Sequence, residues 1–311
     1  MNNIICIAGP TASGKTALAV ALAQELGGEV VSCDSMQVYR KMDIGTAKPT
    51  VEEMAGIPHH MLSVADPEED FSVSRYCKMA TPIVEDIISR GKTAIIAGGT
   101  GLYMDALIRG NDFAPYPSTG RRQELEQLAA KEGVEAVLCQ LRRVDPESAQ
   151  RLHPSDQKRI IRAMEVYLET GQTITQHNQM TQAIPPKFHP VWFALDDKNR
   201  QTLYDRIDRR VLLMLEQGLI QEIQALLGSG VPEKATSMQA IGYKEFVDAI
   251  QGRCSVEAAA AQVQQSSRRY AKRQLTWFRR NQAIHWLTRD ENESTGEILS
   301  RARQILKDSD N

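Results

Sequence analysis

The chain has 311 residues, 42% hydrophobic and 24% charged, with a formal net charge of −2. That length suits one large or two ordinary domains with a proper core, and the balanced charge excludes a global polycation, so any nucleic-acid surface must be a local patch. The five cysteines (Cys6, Cys33, Cys77, Cys139, Cys254) are dispersed without a C-x-x-C pair, which predicts free thiols in a reducing cytoplasm and no structural zinc. Met1-Asn2-Asn3 lacks a charged n-region and no apolar run approaches membrane-spanning length, so neither a signal peptide nor a membrane partner is expected.

In chain order, Ile4-Ile5-Cys6-Ile7-Ala8 predicts a buried strand. Gly9-Pro10-Thr11-Ala12-Ser13-Gly14-Lys15-Thr16 follows and fits G-x-x-x-x-G-K-[ST], and residues 16–26 carry a helical apolar pattern. Strand, glycine-rich turn and helix are the setting of a phosphate loop, whose backbone N–H groups converge on phosphate oxygens. Lys15 would reach the terminal phosphates and Thr16 would ligate Mg²⁺. The competing reading is a turn that binds nothing. Residues 29–33 read as a second strand ending at Asp34-Ser35-Met36-Gln37. Residues 41–67 read as a long irregular loop, 72–90 as a helix, and 93–97 as a third buried strand ending in Gly98-Gly99-Thr100-Gly101. Alternating strands and helices predict an α/β fold, a phosphate-loop NTPase-like parallel sheet flanked by helices, with Gly14, Asp34 and Thr100 gathered along one edge.

Residues 111–120, with Pro115, Pro117 and Gly120, read as a linker. From 121 to about 179 the strong patterns are helical (124–131, 133–140, 146–152, 155–169), with Asp145 and Ser155 as expected N-caps. The simplest organisation is an all-helical domain over 115–187 inserted into a core of 1–114 and 188–311. A returning strand is expected at 190–195, helices at 202–227, 237–250 and 255–280, and a last strand at 283–287. The polar tail from about Asp290 reads as a loosely attached helix with a frayed end.

Several residue types point to chemistry. A carboxylate at Asp34, beside the phosphate loop, suits either a water-mediated Mg²⁺ contact or a general base, against the plainer role of a turn cap. Thr100 would bond a phosphate or an acceptor, or merely cap its turn. Arg206 and Arg210 are four apart on one helical face, which suits a pyrophosphate, or a solvated face paired to Asp205 and Asp208. Arg268, Arg269, Lys272, Arg273, Arg279 and Arg280 fall within an arc of roughly 140° on a helical projection. No acid lies between Glu257 and Asp290. Such a strip suits a phosphodiester backbone, with a plain amphipathic helix or a grip on small-molecule phosphates as alternatives. Arg151, Lys158, Arg159 and Arg162 form a weaker cluster. His59-His60 has no third ligand at a metal spacing, so loop packing is expected there.

Taken together, these stretches resemble the bacterial tRNA dimethylallyltransferases (tRNA isopentenyltransferases). The resemblance is carried by the phosphate loop, Asp34-Ser35-Met36-Gln37-Val38-Tyr39, Asp43-Ile44-Gly45-Thr46-Ala47-Lys48-Pro49, Pro58-His59-His60 and Gly98-Gly99-Thr100-Gly101-Leu102-Tyr103. It continues through Tyr204-Asp205-Arg206-Ile207, Ala240-Ile241-Gly242-Tyr243-Lys244-Glu245 and Tyr270-Ala271-Lys272-Arg273-Gln274 with Thr276-Trp277-Phe278-Arg279. The stretches run in family order from residue 4 to about 287. Ser267 departs from the more usual Thr. The resemblance implies transfer of a dimethylallyl group from dimethylallyl diphosphate to N6 of adenine 37 in tRNAs reading codons that begin with U. It implies that Gly9, Pro10, Thr11, Ala12, Ser13, Gly14, Lys15, Thr16 and Arg210 hold the diphosphate with Mg²⁺. Asp34 would act as base, with Thr100 and Arg206 as further catalytic groups. The tRNA anticodon stem-loop would meet Asp34, Ser35, Met36, Gln37, Arg122, Gln157, Lys158, Arg159, Ile160 and Ile161. It would also meet Gln239, Ala240, Ile241, Gly242, Tyr243, Lys244, Lys272, Arg273, Gln274, Leu275, Thr276, Trp277, Phe278 and Arg279. A monomer is the expected state. The loop alone would favour a small-molecule kinase, which gives no reason for the basic helix; a prenyltransferase acting on free adenine nucleotides shares the core without needing a tRNA surface; and Asp34 beside an intact phosphate loop argues against a non-catalytic RNA-binding module.

Overall fold

Strands covered by helices on both faces read as unbroken apolar runs, and such runs order the α/β part of this chain. The computed structural model describes residues 3–111, 119–290 and 293–309. The chain divides into two compact units, Met1–Gly110 with Lys187–Asn311, and Asn111–Pro186. Pro115, Pro117 and the expected boundary at 114/115 lie outside the described residues.

The first unit begins with β1 (Ile4–Ala8), α1 (Lys15–Leu26), β2 (Glu29–Ser32), α2 (Val51–Met54), β3 (His59–His60), α3 (Val73–Ser89), β4 (Ala94–Ala97) and α4 (Gly101–Arg109). Within the second unit come α5 (Arg121–Glu132), α6 (Val134–Val144), α7 (Pro146–Arg151), α8 (Gln157–Thr170) and α9 (Ile174–Ala183). The first unit resumes with β5 (Val191–Asp197), α10 (Arg200–Glu216), α11 (Leu219–Gly228), α12 (Tyr243–Ile250), α13 (Val256–Phe278), β6 (Ile284–Arg289) and α14 (Thr295–Ser309).

The sheet order is β3-β2-β4-β1-β5-β6, and every neighbouring pair is parallel. Ile5 pairs with Ile95 on one side and Val191 on the other. The connections turn to opposite sides at β1, and ligands of open α/β sheets bind outside the carboxyl ends of the strands at such a point. Ile5, Ile7, Ile95 and Phe193 of the sheet pack with Leu18 and Leu22 of α1 and with Ile298 and Ala302 of α14. Each fully buried Leu or Ile contributes about 1.5–3 kcal/mol. The tail is therefore docked into the core, correcting the expected loose helix.

Other expectations also shift. The irregular stretch 41–67 contains β3, whose register places His59 against Val30 and His60 against Val31. His60 Nε2 lies 2.8 Å from Glu29 Oε2. The helix expected at 202–227 breaks at Gly218 (φ 99°) into α10 and α11. The helix expected at 237–250 is a 3₁₀ turn (Ser237–Gln239) followed by α12.

In the second unit, Leu125, Ala129, Val137, Leu138, Leu141, Ile160, Ile161 and Met164 form a core of their own. Asp145 caps α7 by accepting from the Ser148 N–H at 3.0 Å. Ser155 does not cap α8; it stands within 2.8 Å of His153 Nδ1, and the helix starts two residues later. Among the described residues, no helix is long and apolar enough to cross a membrane.

Candidate active site

The carboxyl ends of β1, β2 and β4 open onto one cavity of about 520 Å³, lined entirely by the first unit. Residues 9–16 connect β1 to α1. Ala12 (φ 60°) and Gly14 (φ 90°) occupy the left-handed region that turns successive amides inward. Ser13 Oγ and Lys15 Nζ both donate to the Pro10 carbonyl, at 2.8 and 2.6 Å. Thr11, Ala12, Ser13, Gly14, Lys15 and Thr16 line the cavity, whereas Gly9 and Pro10 do not. Burial pushes the Lys15 ammonium down to about 8; Asp34 opposes the shift and Arg210 adds to it.

Asp34 follows β2. Its Oδ1 accepts from the N–H groups of Met36 (2.8 Å) and Gln37 (3.4 Å), and among the described residues no protein group takes Oδ2. Gln37 is itself fixed. Its Oε1 accepts from Ser32 Oγ at 3.0 Å, and its Nε2 donates to the carbonyls of Thr46 (3.3 Å) and Ala47 (3.1 Å). Thr100 does not line the cavity. Its Oγ1 accepts from the Ser35 N–H at 3.0 Å and stands 3.3 Å from Ser35 Oγ, tying the end of β4 to the Asp34 turn. Tyr270 lines the cavity beside Thr100, and burial pushes its phenol up to about 12.

The two arginines of α10 part company. Arg210 lines the cavity near Asp34 and Glu53, and burial lowers its pKa. Arg206 is ion-paired to Asp197 at the end of β5 and is absent from the lining. The expected shared face over one diphosphate is thus split, because a buried carboxylate captures one guanidinium. Arg289, which the sequence reading missed, stands beside Arg206. A Cβ on Gly14 would lie 3.0 Å from an Arg289 guanidinium nitrogen.

Helix α13 has two faces. Lys272, Arg273, Thr276 and Arg279 are exposed, as are Arg269 and Arg280, whereas Gln274, Leu275 and Phe278 are buried. These three therefore do not present side chains to a nucleic acid. Gln274 instead accepts from the Thr11 N–H through Oε1 and donates to the Gly99 carbonyl through Nε2, both at 2.9 Å. The basic strip is not free of acids either: Arg268 pairs with Asp208 and Arg279 with Asp196. Trp277 donates to Asp105 at 2.8 Å. Ile160 and Ile161 belong to the core of the second unit, where Arg122 is held by Glu126 and Glu165, while Gln157, Lys158 and Arg159 are exposed. Gln239, Ala240, Ile241 and Gly242 line the cavity with Ser35, Met36 and Gln37. Tyr243 is buried and Lys244 exposed.

Residues 37–281 match the family model described as IPP transferase. The chain is 45% identical over 305 residues to a tRNA dimethylallyltransferase of Caldanaerobacter subterraneus subsp. tengcongensis, covering 97% of each. Among solved structures it is similar to the full-length tRNA isopentenylpyrophosphate transferase of Bacillus halodurans (40% identity, TM-score 0.74, covering 99% of this chain and 96% of that one). It is also similar to a eukaryotic dimethylallyltransferase acting on tRNA (30% identity, TM-score 0.84, covering 99% and 80%).

Proposed function

The chain belongs to the IPP transferase family of tRNA dimethylallyltransferases, and on that premise we propose how its own residues prenylate tRNA. The donor is dimethylallyl diphosphate. The acceptor is N6 of adenine 37, next to the anticodon, in tRNAs reading codons that begin with U. The observation that carries this reading is Asp34: one carboxylate oxygen is locked by two amides and the other is open, in the same cavity as a phosphate loop.

The diphosphate lies against the amides of residues 12–16, with Lys15 and Arg210 balancing its charge. The exocyclic amine of adenine is a weak nucleophile because its lone pair is delocalised into the ring. As the allylic C–O bond breaks and its electron pair leaves with diphosphate, N6 bonds to the allylic carbon and yields its proton to Asp34 Oδ2. Thr100 and Arg206 act behind this site, holding the Asp34 turn and the Asp197 end of β5. Thr16 lines the cavity, and its hydroxyl beside a diphosphate would suit Mg²⁺, an ion that binds oxygen donors. Bound there, Mg²⁺ would neutralise charge on the departing diphosphate.

An adenine stacked in an anticodon loop does not reach Asp34, so the base flips out into the cavity. Exposed Arg269, Lys272 and Arg273 of α13 and Arg280 just beyond its end, with Gln239 and Lys244, meet the phosphodiester backbone. So do Gln157, Lys158 and Arg159 of the second unit. The test is incubation with labelled dimethylallyl diphosphate and either tRNA or free adenine nucleotides. Label enters tRNA; label entering nucleotide alone overturns the reading.

A further inference from the structure

Residues 43–49 carry one of the motifs quoted above, and Gly45, Thr46 and Ala47 line the cavity, yet they supply no reacting group. Their amides point at a side chain from far along the chain. The Glu222 carboxylate of α11 accepts from the N–H groups of Asp43 (2.8 Å), Ile44 (2.8 Å) and Gly45 (3.1 Å). It also accepts from the Tyr243 hydroxyl at 2.6 Å. Successive amides converging on one anion form a nest, a geometry that elsewhere receives phosphate. Here the anion is internal. The fit is close, since a Cβ on Gly45 would lie 2.5 Å from the Tyr243 ring. Lys48 Nζ secures the other end of the segment by donating to the Tyr39 carbonyl (2.7 Å) and Ser63 Oγ (2.8 Å). Between these anchors, the carbonyls of Thr46 and Ala47 receive Gln37 Nε2, and the Gln37 and Met36 amides hold Asp34 Oδ1. A continuous set of hydrogen bonds thus runs from α11 to Asp34.

We propose that Glu222 is a positioning residue for prenyl transfer: as an internal anion in the nest of residues 43–45, it fixes the cavity wall and, through Gln37, the orientation of Asp34 that opens Oδ2 to the acceptor. The inference rests on the prenyl-transfer reading with Asp34 as base. The negative charge matters. An amide in place of the carboxylate turns its own N–H groups toward one of the donors, and a part-buried donor left without an acceptor is costly. Burial and the neighbouring Glu222 both raise the pKa of the Tyr243 phenol, so it remains a donor to the carboxylate.

The test compares steady-state transfer to tRNA by wild type, Glu222→Ala and Tyr243→Phe, each with added acetate or acetamide. Glu222→Ala loses about tenfold in kcat, the effect of one or two part-buried donors left unsatisfied. KM for dimethylallyl diphosphate stays within about twofold, because the phosphate loop is untouched. Acetate restores kcat saturably by re-entering the nest, and acetamide does not. Tyr243→Phe shows a smaller kcat loss with unchanged KM. Wild-type kcat in Glu222→Ala overturns the proposal, as does a loss that acetate fails to restore in a variant that melts like wild type. Where Glu222→Ala melts early, Tyr243→Phe decides, and unchanged kcat in it overturns the proposal. Wild-type protein that fails to prenylate tRNA refutes the functional reading instead. The nest is then judged separately, by whether acetate raises the melting temperature of Glu222→Ala.

Discussion

The phosphate loop and the 43–47 wall border one cavity and are held in opposite ways. The loop sets its own curvature: Ser13 and Lys15 turn back onto the Pro10 carbonyl and Ala12 and Gly14 are left-handed, with one distant clamp, Gln274 on the Thr11 N–H. The wall is held from outside, by a Glu222 carboxylate 178 residues from the Ile44 amide. Local closure costs little chain entropy, so a phosphate cradle forms from a short motif, whereas the wall takes shape only after distant helices have packed.

Asp34 stands where the two meet, so its removal has the largest effect. In Asp34→Ala, single-turnover transfer falls on the order of 10³-fold, the usual worth of a general base. Dissociation of tRNA, resting on cations elsewhere, changes by no more than about threefold. Near-normal transfer would break the assignment of Asp34 as base. Gln274→Ala comes next. It strands the Thr11 N–H and the Gly99 carbonyl, and KM for dimethylallyl diphosphate rises on the order of 30-fold. The salt dependence of tRNA binding stays unchanged because no exposed cation is lost. A variant in which only the melting temperature moves would make Gln274 a core residue with no hold on the loop.

What the sequence disclosed follows the same division. Residues 9–16, Asp34 and the Gly98-Gly99-Thr100 turn were legible because each ends a buried strand, and parallel strands must bring their ends to one edge. Helical spacing put Arg206 and Arg210 on one face, but it carried no information about Asp197, which lies at the end of β5 and captures Arg206. The projection of α13 found the basic arc and could not show that Asp208 and Asp196 reach it from α10 and β5. Nor could it separate Gln274, which is buried and bonds the loop, or Arg273, which lines the cavity, from Lys272, which is exposed and does neither. His59 and His60 looked like loop residues because a strand of two residues has no period to read. Glu222 gave no local signal at all. Its acceptor role exists only once residues 43–45 have bent around it.

The smallest of the expected effects separates loop from wall by titration. Lys15 is depressed to about 8, chiefly by burial, so in the free protein it loses its proton as pH rises through that value. Diphosphate binds the ammonium form and raises its pKa again. Binding therefore takes up a proton above pH 8 and none well below it. Affinity for dimethylallyl diphosphate is full on the acid side and weakens about tenfold per pH unit from 8 up to the bound-state value. Between pH 7 and 9 the dissociation constant rises about tenfold. Calorimetry in two buffers of different ionisation enthalpy reads the proton directly: uptake near zero at pH 7, approaching one at pH 9. Lys15→Arg keeps its charge throughout this range and flattens the dependence. Equal uptake at both pH values would mean that Lys15 is not the group the diphosphate meets. The wall gives no matching signal, because burial raises the Tyr243 phenol above its ordinary range and it stays protonated across the same interval. A pH-dependent loss confined to the donor's affinity, with acceptor binding flat, places the titrating group in the phosphate loop and leaves the wall to be probed by Glu222 alone.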